Sequence, residues 1–449
     1  MMKKLFQRNS DLFEQKQRKS VILTALNNRF SLLFAFILIS SSAVFAFDFG
    51  GILVNDSSFQ TYKDGDFNID QKNSVSIWAR HNFDKMGANY FACEGIYNFE
   101  GDFNQEDDDS KYTNSLDVNL LKINLSKKFD SAKNQPKVNF EAGRFYFSDL
   151  SGLIFTQNAD GAKLSFQNNY FKISAYGAYT GLLNAINTKI ISANPAELLI
   201  NGKQPAVQDV SKTFIADNTK IYDLAEKYLI ADATLSFPYF AANQTVSFEF
   251  LGAFRLEDDK YNRMYATLSF DGPIYRSLFY DVSSTFEFLN YKYNDISGSS
   301  KTENEVANLS KIGLTYYFKN VSVGINGLYA SGNQGELSPF IGFSKNTSTY
   351  SLQEFLYTGI AKIGANARFT PLENLFISAN CATVFNALSG DNSEKAEEVE
   401  YYGFEYAVGI TWQVKSDFQL GITGSQFFDK DNSDLAKKTY LNLHAALAF

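Results

Sequence analysis

The sequence predicts an all-β fold, a transmembrane antiparallel up-and-down β-barrel of about 18 strands, with about 16 the nearest alternative count. Three observations predict it. Apolar and polar residues alternate in segments of roughly ten residues along most of the chain. The connectors between these segments alternate between short and long. An export leader precedes them all. Composition agrees: aromatic residues make up 16% of the 449, with 43 Phe and 26 Tyr, yet the mean hydropathy is only −0.22. A chain so aromatic and still polar on average interleaves the two kinds, as strands with one apolar and one wet face do.

The leader is read first. Phe30 to Ile39, FSLLFAFILI, is an uncharged apolar run. Lys16, Arg18, Lys19 and Arg29 precede it, and SSSAVFA follows, with Ala46 at the place of a cleavage site. This is the pattern of a secretory signal peptide, 1–46. The run is too short for a spanning helix, which takes ~20 residues. Residues 47–449 then form one barrel domain. The leader carries seven basic and two acidic residues, so its removal takes the formal net charge from −8 to −13. An exported chain this acidic is a poor partner for nucleic acid.

The strands follow in order. Segment 47–55 opens the series. In 74–84, Val75, Ile77 and Phe83 oppose Trp78, Arg80 and Asn82. Segments 87–100, 115–128, 137–147, 161–168 and 170–180 come next, and 227–237 follows a long interruption. In 244–257, Val246, Phe248, Phe250, Phe254 and Leu256 oppose Ser247, Glu249 and Arg255. After 261–271 and 275–289, segment 307–318 sets Ile312, Leu314, Tyr316 and Phe318 against Lys311, Thr315 and Tyr317. After 321–331, segment 356–369 sets Ala361, Ile363, Ala365 and Phe369 against Lys362, Asn366 and Arg368. Segments 374–386, 402–415, 417–428 and 439–449 complete the count. The clearest is 402–415, where Tyr402, Phe404, Tyr406, Val408, Ile410, Trp412 and Val414 share a face opposite Glu405, Thr411, Gln413 and Lys415. Aromatics toward the ends and aliphatics in the middle suit a strand facing lipid. In the final segment Leu441, Leu443, Leu447 and Phe449 share a face. This strand is expected to pair with the first, near FDFGGILV, because lipid cannot satisfy a free sheet edge.

The connectors test the count. After even strands they are short: DKMG from Asp84, Asn168-Asn169, Lys319-Asn320, TPLEN from Thr370 and KSD from Lys415. After most odd strands they are long or acidic, as in FNQEDDDSKYT from Phe103 and NDISGSSKTENE from Asn294. The link at 257–260 is the short exception. Short turns on the periplasmic side and longer loops outside are the barrel signature. One connector differs, with 182–226 lacking strand alternation and carrying the helix-compatible pieces PAELLI and YDLAEKY. By parity it lies outside, and it either folds into the lumen as a constriction or caps the surface.

Parity assigns the inward charges. Basic ones are Arg80, Lys163, Lys172, Arg255, Arg263, Lys362, Arg368 and Lys415; acidic ones are Glu94, Asp117, Asp232, Glu249, Asp281, Glu287 and Glu405. The balance favours neither ion sign. Opposed charges on adjacent strands read first as ion pairs of the wall, with a substrate ladder as the other reading. Arg144 shares parity with Val138 and Phe140, so turning it inward needs a bulge at Gly143. Catalysis would need a nucleophile or activated water with a base. Only His81 and His444 are available, and neither sits in a motif, so no enzyme, cofactor or metal is expected. Cys93 and Cys381 are too few for a disulfide framework and lack metal spacing.

The ending LHAALAF, an aromatic last residue after alternating apolar positions, resembles the C-terminal signal of bacterial outer-membrane porins and channels. That resemblance implies a Gram-negative-type outer-membrane barrel, inserted by the barrel-assembly machinery through its Phe449 strand and surrounded by lipid, as a monomer or trimer. A shorter stretch resembles the alginate-export and related substrate-specific porin families of about eighteen strands. It is FEAGRFYFSDLSG followed by NADGAKLSF within 140–181. By position, the resemblance would put Arg144 and Asp160 near the pore. The expected function is passive diffusion of small hydrophilic solutes through an aqueous pore. The alternative is a surface adhesin or structural barrel without a conducting pore. The pore-lining expectation comprises Arg80, Arg144, Asp160, Lys172, Glu249, Arg255, Arg263, Glu287, Lys362, Arg368 and Glu405.

Overall fold

The computed structural model describes residues 47–62, 66–104, 111–129, 134–190, 220–256, 261–294, 300–332, 337–344, 357–386, 400–430 and 439–449. The chain divides into two compact units, Met1–Asp48 and Phe49–Phe449. The expected leader, 1–46, lies outside the described residues. The second unit holds the barrel. Its strands begin with β1 (Asp48–Thr61), β2 (Phe67–Asn82), β3 (Tyr90–Asn104), β4 (Lys111–Lys128), β5 (Lys137–Ser148) and β6 (Thr156–Gln167). Next come β7 (Lys172–Tyr179), β8 (Tyr228–Phe237), β9 (Thr245–Arg255), β10 (Tyr261–Tyr275), β11 (Leu278–Asn294) and β12 (Ser300–Tyr317). The set ends with β13 (Val321–Ala330), β14 (Ile360–Leu372), β15 (Leu375–Asn386), β16 (Glu400–Lys415), β17 (Phe418–Asp429) and β18 (Thr439–Ala448).

The 18 strands form one antiparallel sheet in which each strand pairs with its sequence neighbour. β18 returns to β1, in register from Ile52↔Ala448 to Thr61↔Thr439, and closes the wall. Phe449 extends that seam: Gly51 N–H donates to its carbonyl at 2.9 Å, and its own N–H donates to Gly51 at 3.0 Å. His444 Nδ1 lies 2.7 Å from Asp56 Oδ1 on the inner side of the same seam. The links at 83–89, 168–171, 276–277, 318–320, 373–374 and 416–417 lie at one end. The described parts of the other set, 149–155, 180–190, 220–227, 331–332, 337–344 and 357–359, lie at the other end.

Alternation does what the sequence implies. On β9, Phe248 and Phe250 are exposed on the outer face while Ser247, Glu249 and Leu251 are buried on the inner one. On β18, Leu441, Leu443 and Leu447 are exposed on the outer face. Several strands run longer than their apolar pattern: β1 continues through DSSFQT, β2 begins at FNID and β12 begins at SKTENE. Those added stretches are richer in polar residues, although Phe59, Phe67 and Ile69 still stand on the outer face. The period-two signal is weaker there while the backbone ladder continues.

One outward assignment is corrected. Tyr402 does not share the outer face of Tyr406, Val408, Ile410 and Trp412. The register shifts so that Val384 pairs with Gly403 and Phe385 with Tyr401, leaving Tyr402 as the extra residue of a bulge. The bulge reverses parity, and Tyr402 packs inside against Phe427 with ring centroids 5.8 Å apart.

Candidate functional site

The inner face of β8 to β11 is covered by two links from the long-link end. In the β5–β6 link, the Asp149 carboxylate accepts from the backbone N–H of Ser151, Ile154 and Phe155 at 2.9, 3.1 and 2.8 Å, which winds 149–155 into a tight turn. The Leu150 N–H then donates to Glu249 Oε1 at 2.6 Å. In the β13–β14 link, the Ile341 N–H donates to Glu287 Oε2 at 2.8 Å. The Tyr265 hydroxyl donates to the Ile341 carbonyl at 2.9 Å, and Arg263 Nη1 donates to the Gly342 carbonyl at 3.1 Å. The links also hold each other, for the Ser344 N–H donates to the Ile154 carbonyl at 2.7 Å. Ile154, Phe155, Phe340 and Phe343 are completely buried among Tyr176, Tyr228, Ile230 and Leu251 of the wall.

These contacts give the inward charges a role. A polar side chain shielded from water needs partners, and each such hydrogen bond contributes about 0.5–1.5 kcal/mol. Glu249, Glu287 and Arg263 spend that energy holding link backbone inside the barrel. They are anchors for the links.

Arg144 and Asp160 form the second assembly. They are direct neighbours in the β5–β6 ladder, and so are Gly143 and Gly161. Arg144 Nε donates to Asp160 Oδ1 at 2.9 Å and Nη2 to Oδ2 at 2.8 Å. Nη1 reaches Asp117 at 3.1 Å, and Nη2 also donates to the Leu182 carbonyl at 2.8 Å. Asn187 of the β7–β8 link donates to the other oxygen of Asp117 at 3.1 Å. Gly143 takes φ 117°, yet the register does not shift there. Arg144 therefore keeps the parity of Phe140 and Tyr146. It is only 7% exposed because the β7–β8 link lies over it. The β4–β5 ladder stops at Leu121↔Arg144. Beyond that point the link supplies partners to β4: the Leu116 N–H donates to the Ile221 carbonyl, and Asn184 Nδ2 to the Leu116 carbonyl, each at 3.1 Å. The described ends of 182–226 thus complete the wall. Residues 191–219, on which the choice between constriction and cap rests, lie outside the described residues.

Replacing Arg144 by Gln leaves two carboxylates facing each other without their cation, and the expected cost is about 3 kcal/mol. Urea unfolding in micelles reads that loss. Faster amide exchange at 182–187, with the β5–β6 ladder still protected, locates it.

The remaining expected residues are spread around the wall. Lys362 pairs with Glu405 at 2.5 Å, and the Glu405 side chain is buried. Arg255 pairs with Glu226 at 3.2 Å. Arg80 lies over the Tyr90 ring at 4.0 Å and donates to the Gly87 carbonyl at 3.0 Å. Arg368 is exposed over the Phe376 ring at 5.1 Å, and Lys172 is exposed where β7 begins. The eleven residues do not converge on one point. The sequence reading missed the infolding of 149–155 and 337–344. Its signal was present: LIF and PFIGF are apolar clusters in connectors of the wet end.

The class defined here is a closed 18-stranded barrel whose long links fold inward against its charged inner wall. Among solved structures, the chain is similar to the outer membrane protein OprD of Pseudomonas aeruginosa, with a TM-score of 0.51 and 11% identity over 90% of this chain and 93% of that one. It is similar to OccK9 (OpdG) of the same organism, with a TM-score of 0.55 and 9% identity over 90% and 98%. OpdQ gives 0.52 and 11% over the same shares. At these identities the likeness is one of fold. No protein-family model and no curated protein matches the chain.

Proposed function

We propose that the chain is an outer-membrane channel through which small hydrophilic solutes diffuse passively. The observation that carries this reading is the pair of inward links, 149–155 and 337–344, hydrogen-bonded to the inner wall of a closed barrel. An 18-stranded barrel is wide enough to hold an aqueous channel, and infolded links narrow such a lumen to a constriction without closing the wall. A barrel serving only as a surface anchor has no need of polar clamps holding loops within it. OprD, similar in fold, is described as an outer membrane protein.

In this reading residues 1–46 are the export signal and Phe449 presents the last strand to the barrel-assembly machinery. Lipid surrounds the outer face. Arg368, Lys172, Arg80 and the Lys362–Glu405 pair line the solute path, while Glu249, Arg263 and Glu287 shape it through the links. Purified protein in a planar bilayer is expected to give discrete conductance steps. A barrel that inserts without conducting would rule out the channel and favour the adhesin.

A further inference from the structure

Several polar pairs stand on the outer face of the wall, Tyr97–Asn114, Asn290–Asn304 and Tyr406–Gln426 among them, and two clusters that join asparagine to serine differ in one respect. On β11 and β12, Ser284, Asn308 and Ser310 form a closed set. Asn308 Nδ2 donates to Ser284 Oγ at 3.0 Å and to the Thr285 carbonyl at 3.1 Å, and its Oδ1 accepts from Ser310 at 2.8 Å. Every amide atom is used. On β1 and β2, Asn55 Nδ2 donates to Asn73 Oδ1 at 2.7 Å, and Ser57 Oγ donates to Asn55 Oδ1 at 3.3 Å. There the set stops. Asn73 Nδ2 has no partner among the described residues, and Asn55 has one donor to spare.

The depth of this open pair makes it costly. Asn55 shares the outer parity of Leu53 and Phe59, and Asn73 that of Val75 and Ile77. Asn55 is four residues from Gly51, at the level of Phe449. It is four residues from Phe59, whose ring packs on Phe67. At ~3.4 Å per residue and a tilt of about 40°, the amides lie about 10 Å from either aromatic level. Lipid headgroups do not reach that depth, and hydrocarbon offers no acceptor. The surface is also indented there. A dent of about 320 Å³ is lined by Asn55 and Asn73 together with Leu53, Val75, Ala445 and Leu447.

We propose that this face, β18–β1–β2, is where a second copy of the chain docks, with Asn55 and Asn73 of each copy hydrogen-bonded to those of the other. An amide carries donor and acceptor together, so the patch complements itself across a two-fold axis, as an isologous contact requires. Small residues and interstrand amides are what hold membrane surfaces together where apolar burial gives no drive. The Ser284–Asn308–Ser310 cluster has no spare donor, and the exposed Asn290–Asn304 pair of the same strands stands beyond the outward Phe288–Val306 pair.

The inference rests on the strands crossing a bilayer. The test uses full-length protein in liposomes. In a Cys93→Ala, Cys381→Ala background that keeps both amides, Ala445→Cys, beside Asn55 on the same face, is expected to form an oxidised dimer and Ser284→Cys on the opposite wall is not. Equal cross-linking at both positions would overturn the docking face. Asn55→Leu with Asn73→Leu suits a lipid-facing surface and is expected to fold. Energy transfer between labelled copies should then show at least a tenfold weaker association. A folded Leu variant that associates as tightly as the parent also overturns it and leaves lipid as the occupant. Failure of the parent itself to insert would instead overturn the membrane reading.

Discussion

Deleting residues 337–344 is expected to raise single-channel conductance severalfold. The segment leaves the wall at Ser338, whose N–H donates to the Val306 carbonyl of β12 at 2.9 Å, and lies against the inner face from Phe340 onward. Its fixed points are the Glu287 carboxylate on the Ile341 N–H, the Tyr265 hydroxyl on the Ile341 carbonyl and Arg263 on the Gly342 carbonyl. β13 and β14 pair with each other from Val321↔Phe369 to Ala330↔Ile360 without using it. The ladder therefore survives, and the volume filled by Phe340, Ile341 and Phe343 becomes water. Stability falls as well, because each buried apolar side chain contributes about 1.5–3 kcal/mol. The newly wetted Glu287 and Arg263 regain solvent partners, which limits the electrostatic loss. A milder version keeps the segment and cuts its clamps. Tyr265→Phe with Glu287→Leu, which removes both the hydroxyl donor and the side-chain acceptor, is expected to give larger and noisier conductance than the parent. Planar-bilayer recordings read both variants. Unchanged conductance after the deletion would place the segment outside the solute path and would remove the support for a constriction at this point.

Legibility in the sequence followed periodicity. A strand with one face in an apolar medium must alternate, so β9, β18 and β16 from Phe404 to Trp412 are legible residue by residue. The pairing of FDFGGILV with the last strand followed from the need to satisfy both edges. Where the constraint ends, so did the reading. β1, β2 and β12 extend past it through stretches richer in polar residues, where the alternation is broken or short. Tyr402 fails for the opposite reason: its apolar character fits either face, and only the register around a bulge decides. The inward links carry no period at all. They could have been found from Ile154, Phe155, Phe340 and Phe343, which have no cause to be apolar unless something covers them. The charges were assigned to the inner face from parity alone. That Glu249 and Glu287 hold link backbone depends on contacts between residues distant in sequence.

Gly143→Ala is expected to prevent the barrel from reaching its native form, or to destabilise it by at least ~3 kcal/mol. Two causes act together. The backbone there has φ 117°, a region that side-chain-bearing residues rarely adopt. A Cβ at this position would also lie 1.9 Å from the Leu121 carbonyl oxygen, a backbone atom that cannot swing aside. Its ladder partner Gly161 is equally confined, with a Cβ position 2.1 Å from the Gly177 carbonyl oxygen. The glycine pair lets β4, β5, β6 and β7 approach closely at the level where the β4–β5 ladder ends and the β7–β8 link takes over. Pushing β5 away from β4 there would pull Arg144 off Asp117 and loosen the Leu182 contact. The short Gly-Arg and Asp-Gly pieces, on consecutive strands β5 and β6, are thus one spatial unit with a packing reason for each residue. Gly424→Ala on β17 supplies the comparison: a Cβ there meets nothing within 4 Å, and the expected change is within ~0.5 kcal/mol. Heat-modifiable migration and urea unfolding midpoints measured side by side separate the two. If Gly143→Ala unfolds at the parent's midpoint, the close approach of β4 and β5 is wrong, and the account of the wall seam falls with it.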